Sequence, residues 1–197
     1  MKKPVIFKNF SCRFAKEQSR DFMWRQPWDL QGQDAILCHN FPYDIYSIKG
    51  SCGPQAQTCL QFNFATKPGQ YSEYSGKTIP VTNSNIKERS ETILDQWGKT
   101  GSLFPHNVVL VPLGDDFTYS SELEWDQQYS NYNQIIRYIN ENSQIYNAEI
   151  RWGTLTDYFD AVHSRIQRFD SLVGDFFVYS DVFSEGESLK NLKNPSF

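Results

Sequence analysis

The stretch Asn107-Val108-Val109-Leu110-Val111-Pro112-Leu113-Gly114-Asp115-Asp116 decides how the chain is read. Its centre is an apolar run rich in β-branched residues, the kind that parallel sheets bury on both faces. Gly114 ends the run and two carboxylates follow at once. In α/β folds, ligands bind where the C-terminal ends of parallel strands emerge. Neighbouring side chains at a strand end point in different directions. One of Asp115 and Asp116 can therefore face a cleft as acid/base while the other orients a substrate hydroxyl. Asp also commonly caps turns, and the pair alone leaves both readings open.

Upstream, Asn85 with Glu88 three residues on makes a capping-box pair. Ile86, Ile93, Leu94 and Trp97 fall on one face, predicting a helix that stops within 98–101. Downstream, Tyr132, Ile135, Ile136 and Ile139 sit at i, i+3, i+4 and i+7, predicting a helix over 125–142. A short strand is expected over 148–152. A second capping pair, Thr154 with Asp157, then opens a helix facing inward through Leu155, Tyr158, Phe159 and Val162.

Nearer the N-terminus, 35–38 reads as a short buried strand, and the mixed polar and aromatic stretch 14–28 as a helix ending near Pro27. Residues 41–83 are rich in Gly, Pro, Ser and Tyr, which predicts loops and a hairpin. A connection that long is usually functional. The order helix, strand, loop, helix, strand, helix, strand, helix indicates an α/β architecture with parallel strands and right-handed crossovers. Three parallel strands would bring the loop holding Tyr46, the Asp115–Asp116 pair and the Gly153–Thr154 turn to one side of the sheet.

With 197 residues the chain is long enough for one domain with a sizeable core. Its hydrophobic content of 39% and charged content of 21% are those of an ordinary globular protein. A net charge of −4 excludes a strongly basic nucleic-acid footprint. No run approaches the roughly 20 apolar residues of a membrane span. The apolar start around Val5 is shorter than a signal-peptide core and is broken by Lys8. Aromatic residues make up 16%, which suits either a filled core or sugar-stacking surfaces.

Asn9-Phe10-Ser11 is a weak glycosylation sequon. Cys52 and Cys59 could close a small loop in an oxidising compartment or stay free thiols; Cys12 and Cys38 have no motif context. His39, His106 and His163 stand apart without ligand spacing, so no metal site is expected within the chain. Glycoside hydrolysis uses two carboxyl groups, about 5–5.5 Å apart for retention and about 6.5–9.5 Å for inversion. Asp115 and Asp116 do not form such an opposed pair, whose second member should come from another strand.

Residues Val109-Leu110-Val111-Pro112-Leu113-Gly114-Asp115-Asp116-Phe117, followed by Glu124-Trp125-Asp126, resemble the core of glycoside hydrolase family 38, closest to its Golgi α-mannosidase II branch. Phe22-Met23-Trp24-Arg25-Gln26, Cys52-Gly53-Pro54 and Leu94-Asp95-Gln96-Trp97 agree in order and spacing. So do the segments beginning Trp152-Gly153-Thr154 and Gly174-Asp175-Phe176. The resemblance covers 20–181, between a divergent N-terminal segment, 1–19, and a divergent polar tail, 182–197. It implies part of a β/α barrel-like hydrolase domain with parallel strands, incomplete in this chain.

The function so implied is that of a retaining, zinc-dependent α-mannosidase removing terminal α-mannose from N-glycan intermediates in the Golgi lumen. Asp116 matches the family's general acid/base, and Asp115 the carboxylate that contacts the sugar. Tyr46, six residues before Cys52-Gly53-Pro54, matches a tyrosine that also contacts substrate, although Ser47 and Lys49-Gly50 depart from the pattern beside it. Cys52 and Cys59 match a family disulfide. The family's nucleophile and zinc ligands have no counterpart in 1–197, and the likeness fades after Asp181. The resemblance thus implies a truncated product or partial gene, inactive alone. The alternative is a non-catalytic protein that binds glycans or pairs with an intact relative.

Overall fold

The computed structural model describes residues 20–43, 46–65, 78–174 and 176, and the backbone of 5–7. The sequon at 9–11, Cys12, the beginning of the 14–28 segment, the polar tail and most of the last family segment lie outside the described residues.

The described sheet has four strands: β1 (Val5–Phe7), β2 (Asp21–Arg25), β3 (Ile36–Asn40) and β4 (Asp170–Val173), in the order β1-β3-β2-β4. The α/β class holds, but the sheet is mixed rather than parallel throughout. β1 runs parallel to β3 and β4 parallel to β2, while β2 and β3 are antiparallel, with Phe22 opposite Cys38 and Trp24 opposite Ile36.

The helix expected over 14–28 is wrong where it can be described, because 21–25 is the strand β2. Its side chains alternate with period two. Phe22 and Trp24 pack with Cys38, Ile36 and Leu172, whereas Met23 packs on the opposite cluster of Leu37, Tyr158, Phe159 and Val162. Pro27 stands in the link back to β3 rather than at a helix end. Asp29 organises that link by accepting from the backbone N–H of Gln33 at 3.1 Å and Asp34 at 2.8 Å, and Gly32 takes φ +71°. A link this short joins antiparallel neighbours.

Six helices follow in chain order among the described residues: α1 (Ile48–Ser51), α2 (Ala56–Leu60), α3 (Ile86–Gly101), α4 (Glu122–Glu141), α5 (Ser143–Tyr146) and α6 (Leu155–His163). The described part of 41–83 thus contains α1 and α2 rather than a hairpin. α3 buries Ile93 and Trp97, and α4 buries Tyr132, Ile135 and Ile139, the faces read from periodicity. They share a core with Phe62, Phe64, Val81 and the Cys52–Cys59 disulfide.

The Asn85 capping box does not form. Its backbone sits at φ −120°, ψ −2°, and its amide serves the preceding turn, accepting from Thr82 N–H at 2.8 Å and donating to the Pro80 carbonyl at 3.0 Å. The box at Thr154 and Asp157 does form. Hydrogen bonds from Thr154 hold the Asp157 carboxyl below its usual range. α6 buries Tyr158, Phe159 and Val162, while Leu155 stays 44% exposed.

The strands expected at 107–113 and 148–152 are not strands. The first run still alternates as the sequence suggests. Val108 and Leu110 pack on the cluster beneath α6, and Val111 and Leu113 pack on the α3–α4 core. Its backbone bonds go elsewhere. Val108 N–H donates to His106 Nδ1, Ser51 Oγ to the Pro112 carbonyl, Tyr119 OH to the Leu113 carbonyl and Ile48 N–H to the Gly114 carbonyl. In the second run, the Asn140 amide takes both backbone groups of Ile150, at 2.9 and 2.8 Å, in place of a neighbouring strand.

Candidate active site

The loop carrying Tyr46 is zipped against the end of the 108–116 run. Ile48 N–H reaches the Gly114 carbonyl at 3.2 Å and Ser51 Oγ the Pro112 carbonyl at 2.7 Å. Behind α1, the Cys52–Cys59 disulfide has a Cα separation of 5.6 Å. Thr100 Oγ1 on α3 donates to the Cys52 carbonyl at 3.2 Å. Gly53 is required by close packing, since a Cβ there would lie 2.6 Å from Cβ of Gln96. A loop that composition marks only as irregular is thereby held at both ends of α1.

This arrangement delivers the Tyr46 phenol to the Asp116 carboxylate, to which it donates a hydrogen bond. Tyr46 is 39% exposed, and Asp115 and Asp116 are open to solvent. Asp115 Oδ1 accepts from Asp116 N–H at 2.9 Å, while Thr118 Oγ1 interacts with both backbone groups of Asp115. Asp115 is therefore the turn-capping member, and one of its oxygens is already engaged. Phe117 and Tyr119 adopt φ of +56° and +61°, backbone that L residues rarely take, so the turn holding the carboxylates is strained.

Behind the turn, Tyr119 rests on Trp125 with ring centroids 4.5 Å apart. Burial and then the nearby Glu124 push its phenol up to about 12. Glu124 caps the start of α4 by accepting from Ser120 N–H at 2.6 Å and Ser121 N–H at 3.3 Å.

Beside the turn runs an open groove of about 2190 Å³, lined by Tyr46, Leu110, Ile150, Trp152, Gly153 and Thr154 among others. Of the three elements expected on one side of the sheet, Tyr46 and the Gly153–Thr154 turn line this groove, and Asp116 joins through its bond to Tyr46. Of the strands meant to gather them, the one expected over 35–38 forms as β3, whereas those expected over 107–113 and 148–152 do not. The 108–113 and 148–152 runs line the groove instead.

The histidines stand far apart in the sequence; the structure brings two of them together. His39 Nδ1 lies 2.8 Å from Asp21 Oδ1, His106 Nε2 lies 2.8 Å from Asp21 Oδ2, and Tyr158 OH reaches Asp21 Oδ2 at 3.0 Å. These groups come from β2, β3, the 104–107 turn and α6, so no local spacing could have announced them. They do not fit zinc: they bond directly to one another, and among the described residues no three of His, Cys, Asp and Glu are grouped to hold a metal.

Comparison with known proteins identifies the class: the chain belongs to glycosyl hydrolase family 38, whose N-terminal domain description matches residues 7–182. The family is one of glycosidases, and the relatives are α-mannosidases. The chain is 47% identical over 173 residues to alpha-mannosidase 2 of Spodoptera frugiperda, covering 88% of this chain and 15% of the relative. It is 40% identical over 178 residues to alpha-mannosidase 2 of Homo sapiens, covering 85% and 16%. With alpha-mannosidase 2 of Drosophila melanogaster, identity is 37% over 174 residues, again covering 85% and 16%. The chain thus spans about one sixth of the length of these relatives. No described helix is long and apolar enough to cross a membrane.

Proposed function

We propose that the chain supplies the acid/base side of a retaining α-mannosidase site that acts on terminal α-mannose of N-glycans in the Golgi lumen. Asp116 is the general acid/base, and Asp115 and Tyr46 contact the sugar. The observation that carries this reading is the Tyr46 hydrogen bond to Asp116 on a solvent-open turn beside a groove. Tyr46 donates to Oδ1, which leaves Oδ2 to carry the proton delivered to the glycosidic oxygen and to take one from water in the second half of a retaining cycle. Asp115, with one oxygen tied to Asp116 N–H, presents the other to a sugar hydroxyl.

The nucleophile is a second carboxylate across the sugar, and in this reading it comes from outside these 197 residues, as do the zinc ligands and the strands that complete a β/α barrel-like domain. An acid/base without its opposed nucleophile lacks most of the transition-state stabilisation. The chain alone is therefore inactive toward an aryl α-mannoside with added zinc. The deciding assay compares wild type and Asp116→Asn. Turnover by the wild type that disappears in the variant overturns the inactivity. Joined to the rest of a family 38 catalytic domain, Asp116→Asn should lower kcat at least a hundredfold with substrate binding largely kept. Full turnover by that variant rejects Asp116 as the acid/base.

A further inference from the structure

The Asp21 cluster is a second constellation of titratable groups, separate from the Asp116 site. Asp21, His39 and His106 have side chains only 1% exposed. The titratable groups facing Asp21 are His39 from β3, His106 from the 104–107 turn and Tyr158 from α6. Arg20, the chain neighbour of Asp21, turns its guanidinium to the Phe41 carbonyl. We propose that Asp21 is the hub of a proton-labile clamp that fixes His39 and His106 in opposite tautomers and, through His106, sets where the 108–116 run begins.

The tautomers follow from the partners of each nitrogen. His106 Nδ1 accepts from Val108 N–H at 3.2 Å, so its proton is on Nε2, pointing at Asp21 Oδ2. His39 Nδ1 faces Asp21 Oδ1 at 2.8 Å and the Tyr158 oxygen at 3.0 Å, while its Nε2 is buried without a partner. A hydrogen on Nδ1 satisfies both neighbours. A hydrogen on Nε2 instead would leave a lone pair against a carboxylate and a buried N–H against nothing. Stacking of His39 on Phe104, at 5.3 Å, and of Phe104 near His106, at 5.4 Å, restricts both rings.

Val108 is the first residue of the apolar run that ends at Asp115 and Asp116, and the His106 ring holds its amide. A second proton on His106 sits on Nδ1, where Val108 N–H already points. Two donors then face each other and the Val108 bond breaks. His106 is in this sense a positioning residue for the run, and Asp21 acts through it.

The test uses the 197-residue chain with nitrogen-15 in its histidines. Near neutral pH, imidazole spectra should show His39 protonated on Nδ1 and His106 on Nε2; the same tautomer in both overturns the proposal. Amide exchange at Val108, corrected for intrinsic rate, should then lose about tenfold in protection over the interval in which His106 takes its second proton. Ile93 in α3 should keep its protection. Val108 protection that persists with His106 doubly protonated overturns the clamp. Asp21→Asn places an amide NH₂ against one imidazole N–H and should switch that ring's tautomer. If the variant does not fold, the two wild-type measurements still decide. Neither needs mannoside hydrolysis, so failure of the mannosidase reading leaves this test intact.

Discussion

The Tyr46 hydroxyl donates to the Asp116 carboxylate across 70 positions of sequence. Three separate devices produce that meeting: the hydrogen bonds from Ile48 N–H and Ser51 Oγ to the 112–114 carbonyls, the disulfide behind them, and the strained turn at 117–119. The bond is solvent-exposed, so it should matter little for folding. Asn at 116 still offers Tyr46 an acceptor. Asp116→Asn and Tyr46→Phe should each change unfolding free energy by no more than about 0.5 kcal/mol. Denaturant titration checks this, and a loss above about 2 kcal/mol from either would make the pair a structural linchpin instead.

Behind Tyr46, the Cys52–Cys59 bridge closes a small loop between α1 and α2. Loop-closure entropy for seven or eight residues corresponds to about 2.5 kcal/mol. Cys59→Ser should therefore lower stability by about 2–3 kcal/mol and loosen the 46–51 loop. Gly53→Ala should cost about 1–3 kcal/mol through the clash with Gln96 while leaving the disulfide intact. Thermal unfolding with and without reductant separates the two. A reductant that shifts the midpoint of Cys59→Ser as much as that of wild type would contradict the assignment.

What could be read in advance follows how local the signal is. The inward faces of α3, α4 and α6 were legible because a 3.6-residue period is written within each segment. So was the Thr154 box. The start of α4 was legible but missed: Ser121-Glu122-Leu123-Glu124 is a capping box, and it opens the helix three residues before the expected 125. By contrast, the stretch containing β2 reads as a helix because five residues are too few to separate the two periods. Asn85 looked like a cap until its amide proved committed to the 80–82 turn. Asp115 and Asp116 stand out locally as carboxylates that end an apolar run, whereas the roles proposed for Asp116 and Tyr46 rest on family likeness. Asp21, His39, His106 and Tyr158 meet from four elements, beyond any local pattern.

Acid should weaken the fold through Asp21. Burial pushes its carboxyl up, but hydrogen bonds from His106 and His39 and their charges pull it below the usual carboxylate range. A carboxylate depressed in the folded state stabilises above its unfolded value near 4 and loses that contribution as pH falls through the lower folded value. An acid-induced fall in stability should therefore appear below about pH 4. Asp21→Asn should cost about 3 kcal/mol at pH 7, because it breaks a buried charged network, and should flatten the acid limb. An unchanged acid limb in the variant, from denaturant midpoints measured at several pH values, assigns the sensitivity to other carboxylates.

The run leading to the carboxylates packs like a strand without being paired as one. Its side chains alternate like those of a strand buried on both faces, yet the amides of Val109, Leu110 and Val111 have no acceptor among the described residues. Packing without hydrogen bonds protects amides far less than a paired ladder does. These three should exchange at least a hundredfold faster than Leu37 and Cys38 in β3, once intrinsic rates are removed. An unpaired apolar edge is also a template for another strand. If one pairs there, the same three amides should become protected while those of β3 stay as they were. Protection equal to that of β3 in dilute chain would mean that the run already has a partner strand, and the groove beside it would have to be redrawn.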